Sequence, residues 1–181
     1  MTVFAAGVLD DGEYQDDDTP PEFLGGLREW QKEAFAEYFR QPRRDFLLVA
    51  TPGAGKTAWA LTVAARLLAR REIASITVVT PTEHLKYQWA RAAHAFGISL
   101  DPDYRNAQGR VSADFTGVAV TYAQVAAHPA LHRQRTLNRR TLVVFDEIHH
   151  AGDVSPTCSS PRPLTPTVLR STRVTPTTLL D

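Results

Sequence analysis

The chain has 181 residues, 43% of them hydrophobic and 22% charged, values typical of a soluble globular protein. That length suits one ordinary domain and excludes two large ones, so an activity that needs two would borrow the second. No apolar run reaches the roughly 18 residues that a membrane-spanning helix needs. A single cysteine, Cys158, excludes a disulfide framework.

The charges are unevenly distributed, although the formal net charge is zero. Residues 1–23 contain seven acidic residues and no lysine or arginine, and Pro20 and Pro21 close the segment. We predict a disordered leader, and because it lacks the basic start of a signal peptide, a cytoplasmic protein. Residues 24–153 contain 17 Lys and Arg against 12 Asp and Glu. This positive surplus permits a nucleic-acid partner, and a solvated charged surface is an equal alternative.

Predicted helices and strands alternate from residue 27 onward. Apolar residues at spacings of three and four predict three helices, over residues 27–39, 56–71 and 82–96. Uninterrupted apolar runs predict four strands, over residues 46–50, 76–80, 117–121 and 142–145. Such strands are typical of a mainly parallel sheet with helices on both faces, so we predict an α/β fold. We interpret the polar residues 99–113 as a surface loop.

A glycine-rich octapeptide, ATPGAGKT, joins the first predicted strand to the second predicted helix. Glycines at these positions allow backbone N–H groups to surround phosphate oxygens, while Lys56 would reach the β- and γ-phosphates and Thr57 would bind Mg²⁺. The pattern begins with Ala50 where most such loops have glycine. The predicted ATP-binding residues of the loop are Thr51, Gly53, Ala54, Gly55, Lys56 and Thr57. A glycine-rich turn without a ligand is the alternative.

Two acidic residues, Asp146 and Glu147, end the last predicted strand. Ligands of parallel sheets gather at that edge, so we predict that Asp146 binds Mg²⁺ through water and that Glu147 is the general base for the attacking water. An acidic helix start is the alternative interpretation. His149 is placed to couple the γ-phosphate side of the site to the rest of the molecule. A zinc site at His149 and His150 is not predicted, because no third ligand is visible.

These motifs resemble those of superfamily 2 helicases and translocases of the DEAD/DEAH-box group, since ATPGAGKT and DEIH are similar to its motifs I and II. The segment LREWQ, residues 27–31, is similar to an element ahead of motif I in relatives of the XPB repair helicase and of restriction-enzyme motor subunits. The resemblance implies a RecA-like P-loop domain that uses ATP and Mg²⁺. It also implies that Gln31 hydrogen-bonds adenine, with Arg28 nearby.

Two further segments resemble nucleic-acid-binding motifs of the same group: VVTPTEHLKYQW, starting at Val78, and VTYAQ, starting at Val120. The resemblance implies a nucleic-acid partner, with DNA favoured over RNA, and no membrane partner. The implied contacts are Pro81, Thr82, Thr121 and Tyr122. Pro81 and Thr82 could instead simply begin a helix.

The resemblance covers residues 27 to about 153, and we predict a helicase ATP-binding domain over 24–153. In residues 154–181, 16 of 28 are Pro, Thr or Ser, which predicts a disordered tail. Motif III and the second RecA-like domain with its arginine fingers are not recognised there. We therefore expect a truncated or frame-shifted product of a longer gene, rather than a natural single-domain protein, and a missing second RecA-like domain as partner.

The resemblance implies the function of a nucleic-acid-dependent ATPase. This chain alone would have only weak ATPase activity. The alternatives are a fragment of the motor subunit of a restriction system, and a non-catalytic module that binds nucleotide or nucleic acid.

Overall fold

The computed structural model describes residues 2–5, 26–40, 45–51, 53–147 and 168–169. Among the described residues there are seven strands: β1 (Thr2–Ala5), β2 (Asp45–Leu48), β3 (Ser75–Thr80), β4 (Leu100–Asp101), β5 (Gly117–Thr121), β6 (Thr141–Asp146) and β7 (Val168–Leu169). The same residues form the α-helices α1 (Glu29–Arg40), α2 (Lys56–Ala69), α3 (Glu83–His94), α4 (Tyr122–Ala127) and α5 (Pro129–Asn138). Within the described ranges, no helix combines the length and apolar character needed to cross a membrane.

The strands form one sheet in the order β1-β2-β7-β6-β3-β5-β4. Strands β6, β3, β5 and β4 run parallel to one another, which confirms the predicted α/β fold. Strand β2 points the same way, because β2 and β6 are each parallel to β7. The carboxyl ends of β2, β3, β5 and β6 therefore lie at one edge, which we call the carboxyl edge of the sheet.

Side chains alternate between the two faces of the sheet, as the two-residue repeat of a strand requires. On one face Ile76, Val78 and Ala119 join the larger core cluster, which includes Trp59 of α2 and Trp89 of α3. On the other face a smaller cluster is formed by Val79, Tyr104, Val118, Val120 and Val143. Because both faces are covered, β3 and β5 are buried along their whole length, which explains why their sequences contain no charged residue and do not alternate between apolar and polar.

The loop predicted over residues 99–113 is more ordered than its polar composition suggests. It contains the short strand β4 and a 3₁₀ turn at Asn106–Gln108, and Tyr104 is fully buried. The two helices after β5, α4 and α5, carry no sequence prediction. The predicted helices and strands otherwise differ from the structure by a few residues at their ends.

Two short strands lie within the segments predicted to be disordered. The apolar Thr2–Ala5 pairs with β2 and β6, and Val168–Leu169 pairs with β2 and β6 from the other end of the chain. Short runs of this kind can add to an existing sheet, and the disordered leader and tail stay a prediction. The other residues of the leader and tail, Cys158 among them, lie outside the described residues.

Candidate functional site

Four segments with predicted site residues meet at the carboxyl edge of the sheet. The glycine-rich loop follows β2, and Asp146 ends β6. Leu48 of β2 and Asp146 both pair with Thr2 of β1, so β2 and β6 end at the same level of the sheet. Strands β3 and β5 end side by side, with Thr80 opposite Thr121. Open α/β sheets bind their ligands at this edge.

The glycine-rich loop needs glycine at two positions. Gly53 has a φ of 74° and Gly55 a φ of 91°, both in the left-handed region that disfavours other residues. A Cβ on Gly55 would also lie only 2.7 Å from Gln31 Nε2. Ala54 N donates to Thr51 O at 3.2 Å and closes a tight turn between them. The loop therefore has a tight turn with left-handed glycines, the kind of geometry that lets backbone N–H groups bind phosphate.

Lys56 and Thr57 occupy the first turn of α2. The N-cap of this helix is Gly55, which offers no side-chain acceptor to the first N–H groups, so the positive end of the helix dipole faces the loop. Lys56 Nζ donates to Ala50 O at 3.0 Å, so the ammonium group folds back over the start of the loop. A phosphate chain placed at this loop would meet the helix dipole and the ammonium group together.

Gln31 ties α1 to the loop and is only 3% exposed. Its Oε1 accepts a hydrogen bond from Arg28 N at 2.7 Å, and its Nε2 donates to Gly55 O at 2.9 Å. Its backbone carbonyl accepts from Trp59 Nε1 at 2.9 Å. The side chain of Arg28 is exposed. The amide of Gln31 therefore holds the loop in this structure, and its contact with adenine stays a prediction.

Asp146 is buried, with 9% exposure, and Oδ2 accepts from Trp89 Nε1 at 2.8 Å. The hydroxyl of Tyr122 donates to the backbone carbonyl of Asp146 at 2.9 Å. Glu147, the next residue, has a φ of 53°. Left-handed backbone at a residue other than glycine costs about 1–3 kcal/mol and is found most often at functional sites. Both acids thus stand where sequence reasoning expected them, at the end of a buried strand.

The predicted nucleic-acid contacts begin two helices. Thr82 is exposed and caps α3, its Oγ1 accepting from Leu85 N at 3.4 Å, so this residue does begin a helix. Thr121 is 5% exposed and caps α4. Pro81 and Tyr122 are half-buried. Whether any of the four touches nucleic acid stays a prediction.

Tyr122 lies against the end of β6 and remains partly exposed. Its ring stacks on Phe145 with 6.2 Å between centroids and 16° between planes. Burial raises the pKa of its hydroxyl, and the charges of Asp146 and Glu147 raise it further. The group therefore stays protonated and remains a hydrogen-bond donor at any physiological pH.

A buried polar network beside α4 was missed by sequence reasoning. Gln124 Nε2 donates to Tyr104 O at 3.0 Å, and Asn106 Nδ2 donates to Gln124 O at 2.8 Å. Asn106 Oδ1 lies 3.0 Å from His132 Nε2, and because an amide oxygen only accepts, this nitrogen carries the proton. Burial, and after it the positive charge of Arg135, lowers the pKa of His132 to about 4. The network fixes the 102–110 loop against the helices that follow β5.

The described residues fit ATP and Mg²⁺. The loop can take phosphate oxygens on its N–H groups, Lys56 can neutralise their charge, and the Thr57 hydroxyl and Asp146 carboxylate are the oxygen ligands that Mg²⁺ prefers. His149 and His150 lie outside the described residues, so the predicted coupling role of His149 is untested.

Comparison with known proteins agrees with this geometry. The model of the family described as type III restriction enzyme, res subunit, matches residues 25–160. Uncharacterized proteins of Mycobacterium tuberculosis, from strains CDC 1551 and H37Rv, are 59% identical over 127 residues, and one of Mycobacterium leprae is 57% identical over the same length. The match covers 70% of this chain and 21% of each relative. The chain thus spans about a fifth of the length of the curated relatives that it matches.

Proposed function

The chain belongs to the family of the type III restriction enzyme res subunit, a family of the helicase and ATPase type, and from this membership we propose that it binds Mg²⁺–ATP at its glycine-rich loop. The observation that carries the proposal is the loop itself. Gly55 has a φ of 91° and no room for a Cβ, and Lys56 at the start of α2 lies over the loop. Asp146 and Glu147 end a strand at the same edge of the sheet.

Each residue has one task in this proposal. Lys56 holds the β- and γ-phosphates and stabilises the charge that develops on the γ-phosphate during transfer. Thr57 and Asp146 would hold Mg²⁺, which would neutralise part of the phosphate charge. Glu147 takes the proton from the attacking water. Gln31 and Arg28 lie beside the loop where the adenine would be recognised.

We also propose that the chain is the ATP-binding domain of a nucleic-acid-dependent ATPase. Pro81, Thr82, Thr121 and Tyr122 would meet the nucleic acid, DNA in preference to RNA, and His149 would couple that contact to the γ-phosphate. Fast hydrolysis requires arginine fingers from a second RecA-like domain, whose absence costs about 10³- to 10⁵-fold in related enzymes. We therefore expect detectable ATP binding and very slow turnover when residues 1–181 are assayed alone.

The enzymatic proposal is tested by phosphate release from ATP, with and without single-stranded DNA. The wild type should show slow, magnesium-dependent release, and Glu147→Gln should abolish it while still binding ATP, because only the proton acceptor is lost. If both proteins bind ATP and neither releases phosphate, the chain is a non-catalytic binding module. Unwinding of duplex DNA by the isolated chain would contradict the need for a second domain.

A second candidate is the motor part of a restriction system, which the description of the matched family favours. In that case the complete protein would carry, or be encoded beside, a nuclease. Cleavage of DNA by the full-length relative in the presence of ATP would support this candidate. An ATPase that leaves DNA intact would favour a helicase or translocase.

A further inference from the structure

Asp146 receives hydrogen bonds from two segments outside its own strand. Trp89 Nε1 donates to the carboxylate, and the Tyr122 hydroxyl donates to the backbone carbonyl. Trp89 belongs to α3, and Tyr122 begins α4. We propose that Trp89 and Tyr122 are positioning residues that connect the two predicted nucleic-acid-binding segments to the magnesium ligand. The inference rests on the proposed function, because it concerns the same site.

Trp89 fixes the side chain of Asp146. The indole is 2% exposed and can only donate, so its buried N–H needs an acceptor, and a carboxylate makes that hydrogen bond charge-assisted. A carboxylate has about four acceptor positions, so the hydrogen bond from Trp89 to Oδ2 orients the group and does not by itself exclude a hydrated metal ion. The indole itself is held in the larger core cluster. The carboxylate is therefore oriented by a rigid donor.

Tyr122 fixes the backbone at the same point. Its ring stacks on Phe145, the residue before Asp146, and its hydroxyl reaches the Asp146 carbonyl at 2.9 Å. Trp89 and Tyr122 thus hold the two separate parts of Asp146, side chain and main chain, from two different helices.

Both helices begin with a residue predicted to touch nucleic acid. Thr82 caps α3 about two turns before Trp89, and Thr121 caps α4 directly before Tyr122. A helix moves as a rigid element, so a ligand that shifts either helix start would also move a donor to Asp146. Binding at these helix starts and binding of Mg²⁺–ATP should therefore influence each other, and by linkage the influence is reciprocal.

The Trp89 part is tested with Trp89→Phe, which keeps an aromatic ring and removes the donor. ATP affinity is measured by calorimetry with Mg²⁺ and again with EDTA. We expect the gain in affinity due to Mg²⁺ to fall about 10- to 100-fold, as for other residues that orient a metal ligand, while the affinity measured in EDTA is unchanged. A merely structural role would weaken both affinities alike. Trp30→Phe on α1 is the matched control and should keep the full gain.

The Tyr122 part is tested with Tyr122→Phe, which removes one oxygen and remains informative if Trp89→Phe fails to fold. The measurement is the ratio of Mg²⁺–ATP affinities with and without a single-stranded oligonucleotide. We expect this ratio to be about five or more in the wild type and close to one in the variant. Tyr87→Phe is the control: this tyrosine is 48% exposed, and its hydroxyl bonds Asp103 instead.

The outcomes separate this inference from the proposed function. If the wild type binds Mg²⁺–ATP, but Trp89→Phe keeps the full gain from Mg²⁺ and Tyr122→Phe keeps the full ratio, the positioning roles are refuted and the proposed function stands. A wild type whose ATP affinity ignores the oligonucleotide refutes the connection between the segments. A wild type that binds no ATP refutes the proposed function, and this inference with it.

Discussion

At Gly55, both the backbone conformation and the close packing favour glycine over any other residue. Its left-handed φ disfavours any side chain, and a Cβ there would lie only 2.7 Å from Gln31 Nε2. Gln31 in turn holds the Gly55 carbonyl. The identity of this one residue therefore shapes the whole glycine-rich loop.

Replacing Gly55 with alanine should cost about 1–2 kcal/mol of stability from the left-handed backbone alone. Because Gln31 must also move, ATP affinity should fall by about tenfold or more, an effect of roughly 1.4 kcal/mol. Urea unfolding and calorimetric titration with ATP measure the two effects. Gly97→Ala is the matched control, since Gly97 has a φ of 70° and open space around it. It should lose similar stability and keep its ATP affinity; equal affinities in all three proteins would contradict the account.

His132 should make the stability of the chain depend on pH. Its pKa is about 4 in the folded protein and about 6.5 as an ordinary histidine. Between these values the unfolded chain binds more protons than the folded one, so stability falls as the pH falls from 6.5 towards 4. Arg135 and the polar atoms of Asn106 and Gln124 face the imidazole and do not offer it a negative charge.

The measurement is the free energy of unfolding in urea at pH 7 and pH 5. His132→Asn removes the titrating group, so it should lose less stability over this interval than the wild type, although it is less stable at pH 7. His84→Asn, at an exposed position on α3, should behave as the wild type does. A wild type and a His132→Asn variant with the same pH dependence would show that His132 is not held neutral.

At the scale of elements, the end of α2 shows how a helix can stop without glycine. Glu72 N donates to Leu67 O at 2.9 Å and Arg71 N to Leu68 O at 3.0 Å, which is the hydrogen-bond pattern of a Schellman motif. The motif needs a left-handed residue, and Arg71 fills that place with a φ of 58°. The sequence predicts a helix through Arg71, because arginine is a favourable residue in the last turn of a helix and does not usually mark its end.

Arg71→Gly should therefore stabilise the chain by about 1 kcal/mol, since glycine adopts this backbone conformation without the penalty. Arg70→Gly is the contrasting variant. Arg70 is right-handed, with a φ of −79°, and pairs with Glu72, so the same substitution there should destabilise the chain. Thermal unfolding followed by circular dichroism compares the two. Shifts of the same sign would refute the backbone explanation.

Elements that depend on local pattern were predictable, and elements that depend on distant contacts were not. Strand β5 was predicted at its observed bounds because Gly117–Val120 form a run without polar side chains that ends at Thr121, and all five residues are buried. Helix α5 has no apolar repeat, and His132 is its buried residue among those described, so nothing in its sequence marks a helix face. It is held by a polar network whose members are far apart along the chain.

The candidate site likewise has parts that could be predicted from the sequence and parts that could not. The loop at Gly53–Thr57 and the acids at the end of β6 were predictable, because each is a short motif in a recognisable context. The hydrogen bond from Trp89 to Asp146 joins residues 57 positions apart. A buried tryptophan needs an acceptor, but the sequence does not say which one. The role of Gln31 as a holder of the loop was hidden for the same reason.

At the scale of the whole molecule, the parallel sheet is what turns separate motifs into one site. Four strands that point the same way deliver the glycine-rich loop, two acids and two helix starts to the carboxyl edge. The central claim is that this edge binds Mg²⁺–ATP through Lys56. Its consequence is that a single ammonium group should control affinity for the nucleotide while leaving the fold intact.

Calorimetric titration of the chain with ATP in the presence of Mg²⁺ tests that claim most directly. We expect one site per chain, and a loss of affinity of about 100-fold or more in Lys56→Ala, since a charge-assisted contact with the phosphates is removed. Lys32→Ala, which removes an equal charge from α1 where it pairs with Glu29, should bind as the wild type does. Equal affinities for the wild type and a folded Lys56→Ala variant would contradict the account.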